Sequence, residues 1–514
     1  MPLKRIDTAY LDGSEELLPF YNGFPESLFD WEPIEAFVHP DRLAELEAYQ
    51  RRIGNDIPAM ECTEVVTGQQ PALLSGPLYT IYKIATTIRL AEHLGSKFGS
   101  RVTPIYWMGS DDHDFEEAST AHILTKKHEP LALTYKPASD IADMPLYRVP
   151  LEPALHTLID HAADAAPGSD YRAEVQSFLH DSLDASESFS EWNARIIARL
   201  FRGMNLLIVT PELPEVRGYS QHVIEKEIQE PLISTRLVNE QGRRLQSLGF
   251  APQIQKKDNE CGFFVEVAGR RSKVTYDDGL FVVHTARSKY SQSEMLSMLQ
   301  DEPLLFSPNV ALRCIAQQLL FVPRAYIGGP GEISYWAQFK TLFEHFEVTM
   351  PTVYPRARCV LTTTKLAQLC AKFGLEPAHL AESAPEALLD SALRSAITDP
   401  ELDRFRNRRK AILEELTSLS NELTKSVAAS RDLAERVGGL LEKFESELLQ
   451  RNETQADAVR RQITRLCNAF APFRKPQERV YTIFSFLFEH GWDLIPRIVR
   501  GIDIETFGID EIEL

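Results

Sequence analysis

Apolar residues in the first part of this chain come as short unbroken runs, each followed by a stretch at helical spacing. Thr63–Thr67 is one such run, short and β-branched, and predicts a strand. Gly68–Pro77 follows as a Gly- and Pro-containing loop, with Pro77 suited to a first helical turn, where no N–H is needed. The stretch LYTIYKIATTIRLAEHL keeps helical spacing and reads as ending at Gly95. Val102–Met108 is a second buried strand. Strand–helix–strand at this spacing predicts a βαβ unit of a parallel sheet. Leu206–Thr210 and Ala325–Ile327 read as further core strands. Between them, Phe263–Val267, Ser272–Tyr276 and Leu280–His284 predict antiparallel hairpins joined by AGRR and DDG, an insertion carried within the parallel core. Residues 1–60 mix turn residues with one helical stretch, roughly Pro40–Ile53.

Past residue 360 the runs give way to a seven-residue beat. Ile412, Leu416, Leu419, Leu423, Leu433, Val437, Leu440 and Phe444 keep one heptad register, with Ser426 and Ser430 as polar breaks. Val459, Ile463, Leu466 and Phe470 form a block out of register with it, and Asn452-Glu453-Thr454 reads as the stutter or turn between. The seam is long enough to predict an extended coil that makes the chain a homodimer. An intrachain helical hairpin would use the same seam.

Composition narrows the class. With 514 residues, 44% hydrophobic and 25% charged, the chain buries a sizeable core over several domains without disulfides. A net charge of −19 repels phosphate backbones, so no nucleic-acid partner is expected. Cys62, Cys261, Cys314, Cys359, Cys370 and Cys467 are scattered without a C-x-x-C pair, as reduced thiols in a cytoplasmic protein would be. Cysteines and histidines show no zinc spacing. The N-terminus leads into no apolar signal region and no run is long enough to span a bilayer, so no membrane partner is expected.

Three polar motifs follow predicted strands. The first runs from Thr67-Gly68-Gln69-Gln70-Pro71 to Ser75-Gly76-Pro77-Leu78-Tyr79 and on to Lys83. It sets backbone N–H groups and a helix N-terminus over the sheet edge, where open α/β sheets bind ligands, often phosphates. Gln69 and Gln70 each donate and accept hydrogen bonds; Lys83 lies two turns into the helix. The second, Ser110-Asp111-Asp112-His113-Asp114-Phe115-Glu116-Glu117, suits Mg²⁺ carried with ATP, or a carboxylate orienting His113 as base and raising its pKa. In the third, Gly328-Gly329-Pro330-Gly331-Glu332, the glycines allow backbone to approach a ligand, the next helix offers its N-terminus to an anion, and Glu332, Tyr335 and Trp336 are pocket candidates. Each motif also has a structural reading: a capped turn, an acidic helix start, and a tight connection with Tyr335 and Trp336 in the core. Arg313, Arg324, Arg356 and Arg358 flank the later core segments, and any could clamp a carboxylate bidentately.

TGQQPALLSGPLYTIYK at 67–83, PIYWMGSDDHDFEE at 104–117, SPNVALR at 307–313, IGGPGEISYWAQFK at 327–340 and, more weakly, QERV at 477–480 resemble the bacillithiol biosynthesis cysteine-adding enzymes over nearly the whole chain. The resemblance implies an α/β fold: a Rossmann-like parallel-sheet core akin to class I aminoacyl-tRNA synthetases, with connective insertions and a C-terminal α-helical coiled coil. Laid on this sequence, 1–125 is the first half of the core, 126–205 a mainly helical insertion and 206–214 a core strand. Residues 215–304 are an insertion with antiparallel hairpins, 305–360 the second half of the core, 361–475 the coiled-coil domain, and 476–514 a segment packing back on the core. The implied reaction adds cysteine to the amine of glucosaminyl-malate, giving bacillithiol. A carboxylate does not condense with an amine in water unactivated, so ATP is the expected co-substrate, with His113 as base, oriented by Asp112 or Asp114. The binding residues would be Gly68, Gln69, Gln70, Ser75, Gly76, Tyr79, Lys83, Ser110, Asp111, Arg313, Gly329, Gly331, Glu332, Tyr335 and Trp336. Two other classes fit the same pattern: a nucleotidyl- or glycosyl-transferase on a similar core, and a non-catalytic coiled-coil scaffold.

Overall fold

The computed structural model describes residues 3–30, 43–57, 63–382, 400–422 and 427–514. Cys62, Leu423, Ser426 and the start of the helix expected from Pro40 lie outside these residues; that helix is described as Leu43–Ile53. Two units are described separately: residues 1–361 with 478–514, and residues 362–477.

The first unit is organised on a parallel sheet of five strands: β1 (Glu64–Gln69), β2 (Thr103–Met108), β3 (Leu207–Val209), β4 (Ala325–Gly328) and β5 (Thr352–Pro355). Their order is β5-β4-β1-β2-β3, with every neighbouring pair parallel. The chain thus leaves β1 first to one side and later to the other. β1 and β4 flank the point where strand order reverses, the place where open α/β sheets hold ligands beyond the strands' carboxyl ends. β5 was not foreseen: TVYP between two turns is too short to show a period.

Side chains alternate between two cores. Val65, Tyr106, Met108, Ile208, Ala325, Ile327 and Tyr354 face one hydrophobic cluster; Val66, Ile105, Trp107, Leu207, Val209, Tyr326 and Val353 face the other. Both faces are covered, which is why the strands read as continuous apolar runs instead of alternating with polar residues. α1 (Leu78–Phe98) covers the first face. It runs through Gly95 and stops at Gly99 in a left-handed conformation (φ 65°), beyond the end expected from spacing. The first insertion carries the helical pair α2 (Ala154–Ala165) and α3 (Arg172–Asp184), together with a hairpin of Thr120–Leu124 and Pro130–Thr134 that spacing did not reveal.

α4 (Pro214–Gln229) leads into the second insertion. Its antiparallel sheet takes Phe306–Pro308, Glu260–Val267, Arg270–Asp277, Leu280–Val283 and Ser288–Tyr290 in that spatial order. The two expected turns are tight: Ala268 and Gly269 (φ 50° and 77°), and Asp278 and Gly279 (φ 51° and 82°), are left-handed pairs, the geometry that matches strand twist in a two-residue hairpin. α5 (Val310–Phe321), capped by Asn309, then covers the second face of the core, and α6 (Pro330–Trp336) follows β4.

In the second unit, α7 (Pro400–Glu422) and α8 (Val427–Phe470) form an antiparallel hairpin. Arg406 meets Glu445 at 2.9 Å, Arg409 meets Glu442 at 3.0 Å, and the Phe405 and Phe444 rings lie 5.2 Å apart. α8 is continuous through Asn452-Glu453-Thr454, so no turn stands there; the change of register is absorbed within one helix. Val459 and Ile463 are buried against Phe373 and Cys467. Along the heptad seam, Ile412, Leu419, Leu440 and Phe444 remain 41%, 53%, 69% and 49% exposed within the single chain.

The C-terminal segment places Asp510 beside Asp503, whose N–H it accepts at 3.2 Å. Burial and then the Asp503 charge push the Asp510 carboxyl up to about 6. The folded chain therefore binds this proton more tightly than the unfolded one, and the associated stability is lost as pH rises from about 4 through 6. Asp510→Asn should raise the urea midpoint at pH 7.5 and leave it unchanged at pH 4; a gain of equal size at both values would show that the charge is not the cause.

Candidate functional site

A cavity of about 370 Å³ opens at the carboxyl edge of the sheet, between the ends of β1, β2 and β4. All three motifs reach it. Gly68, Gln69, Gln70, Tyr79 and Lys83 come from the first, Asp111 and Asp112 from the second, and Gly329, Gly331, Glu332 and Tyr335 from the third; Arg313 completes the set.

Lys83 ties the first motif to the third. Its position in α1 brings Nζ under the end of β1, where it donates to the Gly68 carbonyl at 2.5 Å and Gln69 Oε1 at 3.1 Å, and pairs with Glu332 Oε2 at 2.5 Å. Burial pushes the Glu332 carboxyl up. The Lys83 charge, the Gly329 N–H (2.8 Å) and the Tyr326 hydroxyl (2.6 Å) outweigh that and hold it below its ordinary value of 4.5. Glu332 therefore caps its own helix, and the anion site expected at the start of α6 is already filled by a carboxylate of the chain. Gly331 has open space before it, so a ligand can approach its backbone. Gly68 is needed for a different reason: a Cβ there would stand 3.0 Å from Arg313 Nη1 and 3.2 Å from the Trp107 carbonyl.

The second motif divides into wall and foundation. Ser110 is buried and bonds Thr210 Oγ1 at 2.9 Å and the carboxylate of Glu212, joining the ends of β2 and β3 beneath the pocket. Asp111 is held by the buried Arg217 through bonds of 2.7 and 3.2 Å. Asp112 accepts from the Gln70 amide and, at 2.7 Å, from the His113 N–H; Arg271 stands 3.9 Å away. Burial raises its pKa, but Gln70, Arg271 and the His113 N–H together keep Asp112 below the usual carboxylate value.

His113 and Asp114 do not line the cavity. His113 Nδ1 lies 3.6 Å from Asp112 Oδ1, beyond hydrogen-bond reach, and its ring packs 5.8 Å from Phe264 of the second insertion. Burial, then the Arg271 charge, lower its pKa against the pull of Asp112. This reverses the direction expected from neighbouring carboxylates alone, because the ring is half-buried and a guanidinium from a distant segment faces it. Asp114 caps the short helix behind it, accepting from the Glu117 N–H at 3.2 Å. Ser75 and Gly76 shape the turn into α1, where Leu74, Ser75 and Gly76 all have positive φ (51°, 62° and 72°). Trp336 is core, 4.5 Å from the Tyr326 ring, while Tyr335 faces the pocket.

Of the flanking arginines, Arg313 and Arg356 reach the wall. Arg356 is spent on a buried bidentate pair with Glu478 (2.9 and 2.6 Å). Arg313 has no ion-pair partner among the described residues. Two charged wall residues were missed. Arg271, stacked 3.8 Å over Phe264, belongs to the AGRR turn, which spacing marks only as a hairpin. Arg479 lies in the QERV stretch, where the signal was present but unassigned. Among the described residues, no group of three or more histidine, cysteine or carboxylate side chains is arranged to hold a metal, and no helix is long and apolar enough to cross a membrane.

Sheet order and pocket position define a Rossmann-like α/β protein with a cavity at the switch point, joined to a helical-hairpin unit. Residues 5–357 match the family described as "Bacillithiol biosynthesis BshC, N-terminal Rossmann-like domain", and residues 359–509 match "Bacillithiol biosynthesis BshC, C-terminal coiled-coil domain". The chain belongs to the BshC family of bacillithiol biosynthesis, and with it to the ligases. Relatives named "Putative cysteine ligase BshC" include one from Salinibacter ruber, 28% identical over 86% of this chain and 81% of its own. Another, from Bacillus cytotoxicus, is 27% identical over 97% of this chain and 96% of its own. A solved chain described as "putative arginyl t-RNA synthetase" from Campylobacter jejuni covers 86% of this chain and 99% of its own at 9% identity; its TM-score of 0.22 is too low to carry an argument.

Replacing Lys83 with Met removes the direct ion-pair partner of Glu332, which should destabilise the fold by roughly 3–5 kcal/mol. Because the Glu332 pKa is lowered on folding, the pair's contribution is present above pH 4.5 and lost as pH falls through the folded value. Urea midpoints measured from pH 3 to 7 should therefore converge in acid for wild type and Lys83→Met; a gap that stays constant with pH would count against the ion pair.

Proposed function

We propose that this enzyme joins the carboxyl group of L-cysteine to the amine of glucosaminyl-malate, the last step of bacillithiol biosynthesis, with ATP as activating co-substrate. One observation carries the reading: the pocket at the switch point presents Arg313 and Arg479 together with the neighbouring pair Asp112 and Arg271, 3.9 Å apart. Guanidinium groups suit the malate carboxylates and the phosphates of ATP. Asp112 suits the acceptor's ammonium group. The names of the relatives support cysteine as the other substrate.

The chemistry has two stages. A cysteine carboxylate oxygen attacks a phosphorus of ATP, forming an acyl phosphate with release of ADP or an acyl adenylate with release of pyrophosphate. The acceptor nitrogen then attacks the carbonyl carbon; the C–N bond forms, the C–O bond to phosphorus breaks, and phosphate or AMP departs. Asp112, held by Gln70, orients the amine and takes its proton. Lys83 and Glu332 keep the strand ends fixed around the reacting groups. Mg²⁺ would enter on the ATP phosphates and neutralise their charge, held mainly by phosphate and water, as Mg²⁺ commonly is. The seam exposed at Ile412, Leu419, Leu440 and Phe444 supports a homodimer through the helical hairpin.

Purified chain with cysteine, glucosaminyl-malate and ATP should give the cysteinyl product by mass spectrometry, the nucleotide product distinguishing the two activations. Nucleotide-sugar turnover without cysteine-dependent ATP turnover would overturn the reading in favour of a transferase. Asp112→Asn should lower kcat about a hundredfold, and Arg313→Met should raise KM for glucosaminyl-malate about tenfold or more. His113→Ala, off the wall, should cost less than either; an equal loss would return the base to His113. Light scattering should give a dimer for the full chain and a monomer for Leu419→Glu/Leu440→Glu; a wild-type monomer removes the coil from assembly.

A further inference from the structure

The two insertions meet beside the pocket, and one strand pair there sets opposite charges face to face without joining them. Glu266 and Arg271 stand directly opposite each other in the hairpin of Glu260–Val267 and Arg270–Asp277, so both side chains lie on one face of the sheet. Both are buried, at 8% and 9% exposure. Opposite charges in that relation ordinarily pair. Among the described residues no ion pair joins these two. Glu266 turns instead to the first insertion, where its carboxylate accepts from the Tyr147 hydroxyl and pairs with Arg148 Nε, each at 2.6 Å. Arg271 is left to donate to Ser307 Oγ at 3.0 Å and to the Pro308 carbonyl at 2.8 Å, with Nη1 3.9 Å from Asp112 on the pocket wall.

The two groups that draw Glu266 away are themselves fixed to the pocket loop. The Leu146 N–H donates to the Asp112 carbonyl at 2.8 Å, and the Tyr147 N–H to the Ser110 carbonyl at 3.2 Å. From the same segment, the Asp143 carbonyl accepts the Arg271 N–H at 2.7 Å, and Arg270 reaches the Ala142 carbonyl at 2.7 Å and Asp140 at 2.6 Å. Residues 140–148 thus hold the second motif on one side and the hairpin on the other. Tyr147, Arg148 and Glu266 do not line the cavity. What they decide is which carboxylate Arg271 faces. A freed Glu266 would meet the guanidinium as a carboxylate, which binds arginine more strongly than the neutral oxygens of Ser307 and Pro308 do. An Arg271 so neutralised would lose its hold on an anion in the pocket.

We infer that Tyr147 and Arg148 are positioning residues: by holding Glu266 away from its cross-strand neighbour, they leave the Arg271 guanidinium facing the pocket. The identity of the anion it meets there, a malate carboxylate of the acceptor, rests on the reading proposed above; the choice of partner rests on the hairpin geometry. His113 reports on that choice from outside the cavity. Its ring faces Arg271, Asp112, Asp143 and Asp114, and burial together with the Arg271 charge holds its pKa below the ordinary 6.5. Capture of Arg271 by Glu266 would relieve that repulsion.

Tyr147→Phe/Arg148→Met frees Glu266 with little change of shape. In this variant the KM for glucosaminyl-malate should rise roughly tenfold. His113, followed by NMR in the histidine-labelled full chain and assigned through His113→Gln, should titrate at higher pH than in wild type. Adding Glu266→Gln removes the competing charge, and both values should return to those of wild type; a segment that merely props up the insertions would give no such rescue. Circular dichroism checks folding, and Arg148→Met alone carries the test if the double variant does not fold. His113 is read without turnover, so failure of the ligation reading leaves that arm intact. A His113 titration that moves and is rescued while KM stays unchanged upholds the positioning and takes the malate carboxylates off Arg271. An unmoved His113 in the folded variant, or changes that Glu266→Gln does not reverse, would overturn the proposal.

Discussion

Lys83 and Glu332 meet across the reversal point of the sheet, and the pocket depends on that contact. β1 and β4 are neighbours in space but come from chain segments some 260 residues apart, as the Thr67 hydroxyl on the Ile327 carbonyl illustrates. Backbone ladders hold the strands; they do not control the loops beyond their ends. A lysine reaching up from α1 to a strand-end carbonyl, and across to the carboxylate that caps α6, fixes both loops with one side chain. Removing two charges from water is expensive, and a buried pair is tolerated only where its geometry is good and its remaining hydrogen-bonding capacity is filled. Here the carboxylate has three kinds of donor and the ammonium three acceptors.

The same solution recurs around the cavity. Asp111 is neutralised by Arg217, Arg356 by Glu478, and the buried Glu212 carboxylate is met by Ser110 and Thr210. These contacts leave few groups uncommitted. Asp112 keeps only a long ion pair of 3.9 Å with Arg271, and Arg313 has none among the described residues; this separates wall residues available to a ligand from those that hold the wall in place. The distinction cuts across the motifs: adjacent residues Asp111 and Asp112 fall on opposite sides of it, as do Tyr335 and Trp336.

Local sequence made the parallel core legible because a strand buried on both faces must be apolar throughout and a crossover helix must be amphipathic. It also made legible that three glycine- or aspartate-rich strand ends share one site. Other features depended on partners distant in sequence. β5 was too short to carry a period. Arg271 looked like part of a hairpin turn until the insertion sheet brought it over Phe264 and Asp112. The direction of the His113 pKa turned on burial of its ring and on that same arginine, and the role of Lys83 on which way α1 faces the end of β1. The helical beat after residue 360 was plain, but the hairpin needed the facing arginines and glutamates of α7 and α8.

Arg479 has a consequence for biogenesis. The cavity wall draws on residues from Gly68 to Arg479, and Arg479 follows the whole helical unit in the chain. On the ribosome, β1 and β2 can pair as soon as they emerge, but β4 must wait for both insertions, and the last guanidinium waits for α7 and α8 as well. Domains fold during synthesis roughly in the order they appear. A nascent chain of this kind carries an open sheet edge on β1 for most of its translation, with its cavity unfinished until nearly all of the polypeptide has been made. The order of the strands thus sets both where the cavity forms and how late in the life of each new molecule it is complete.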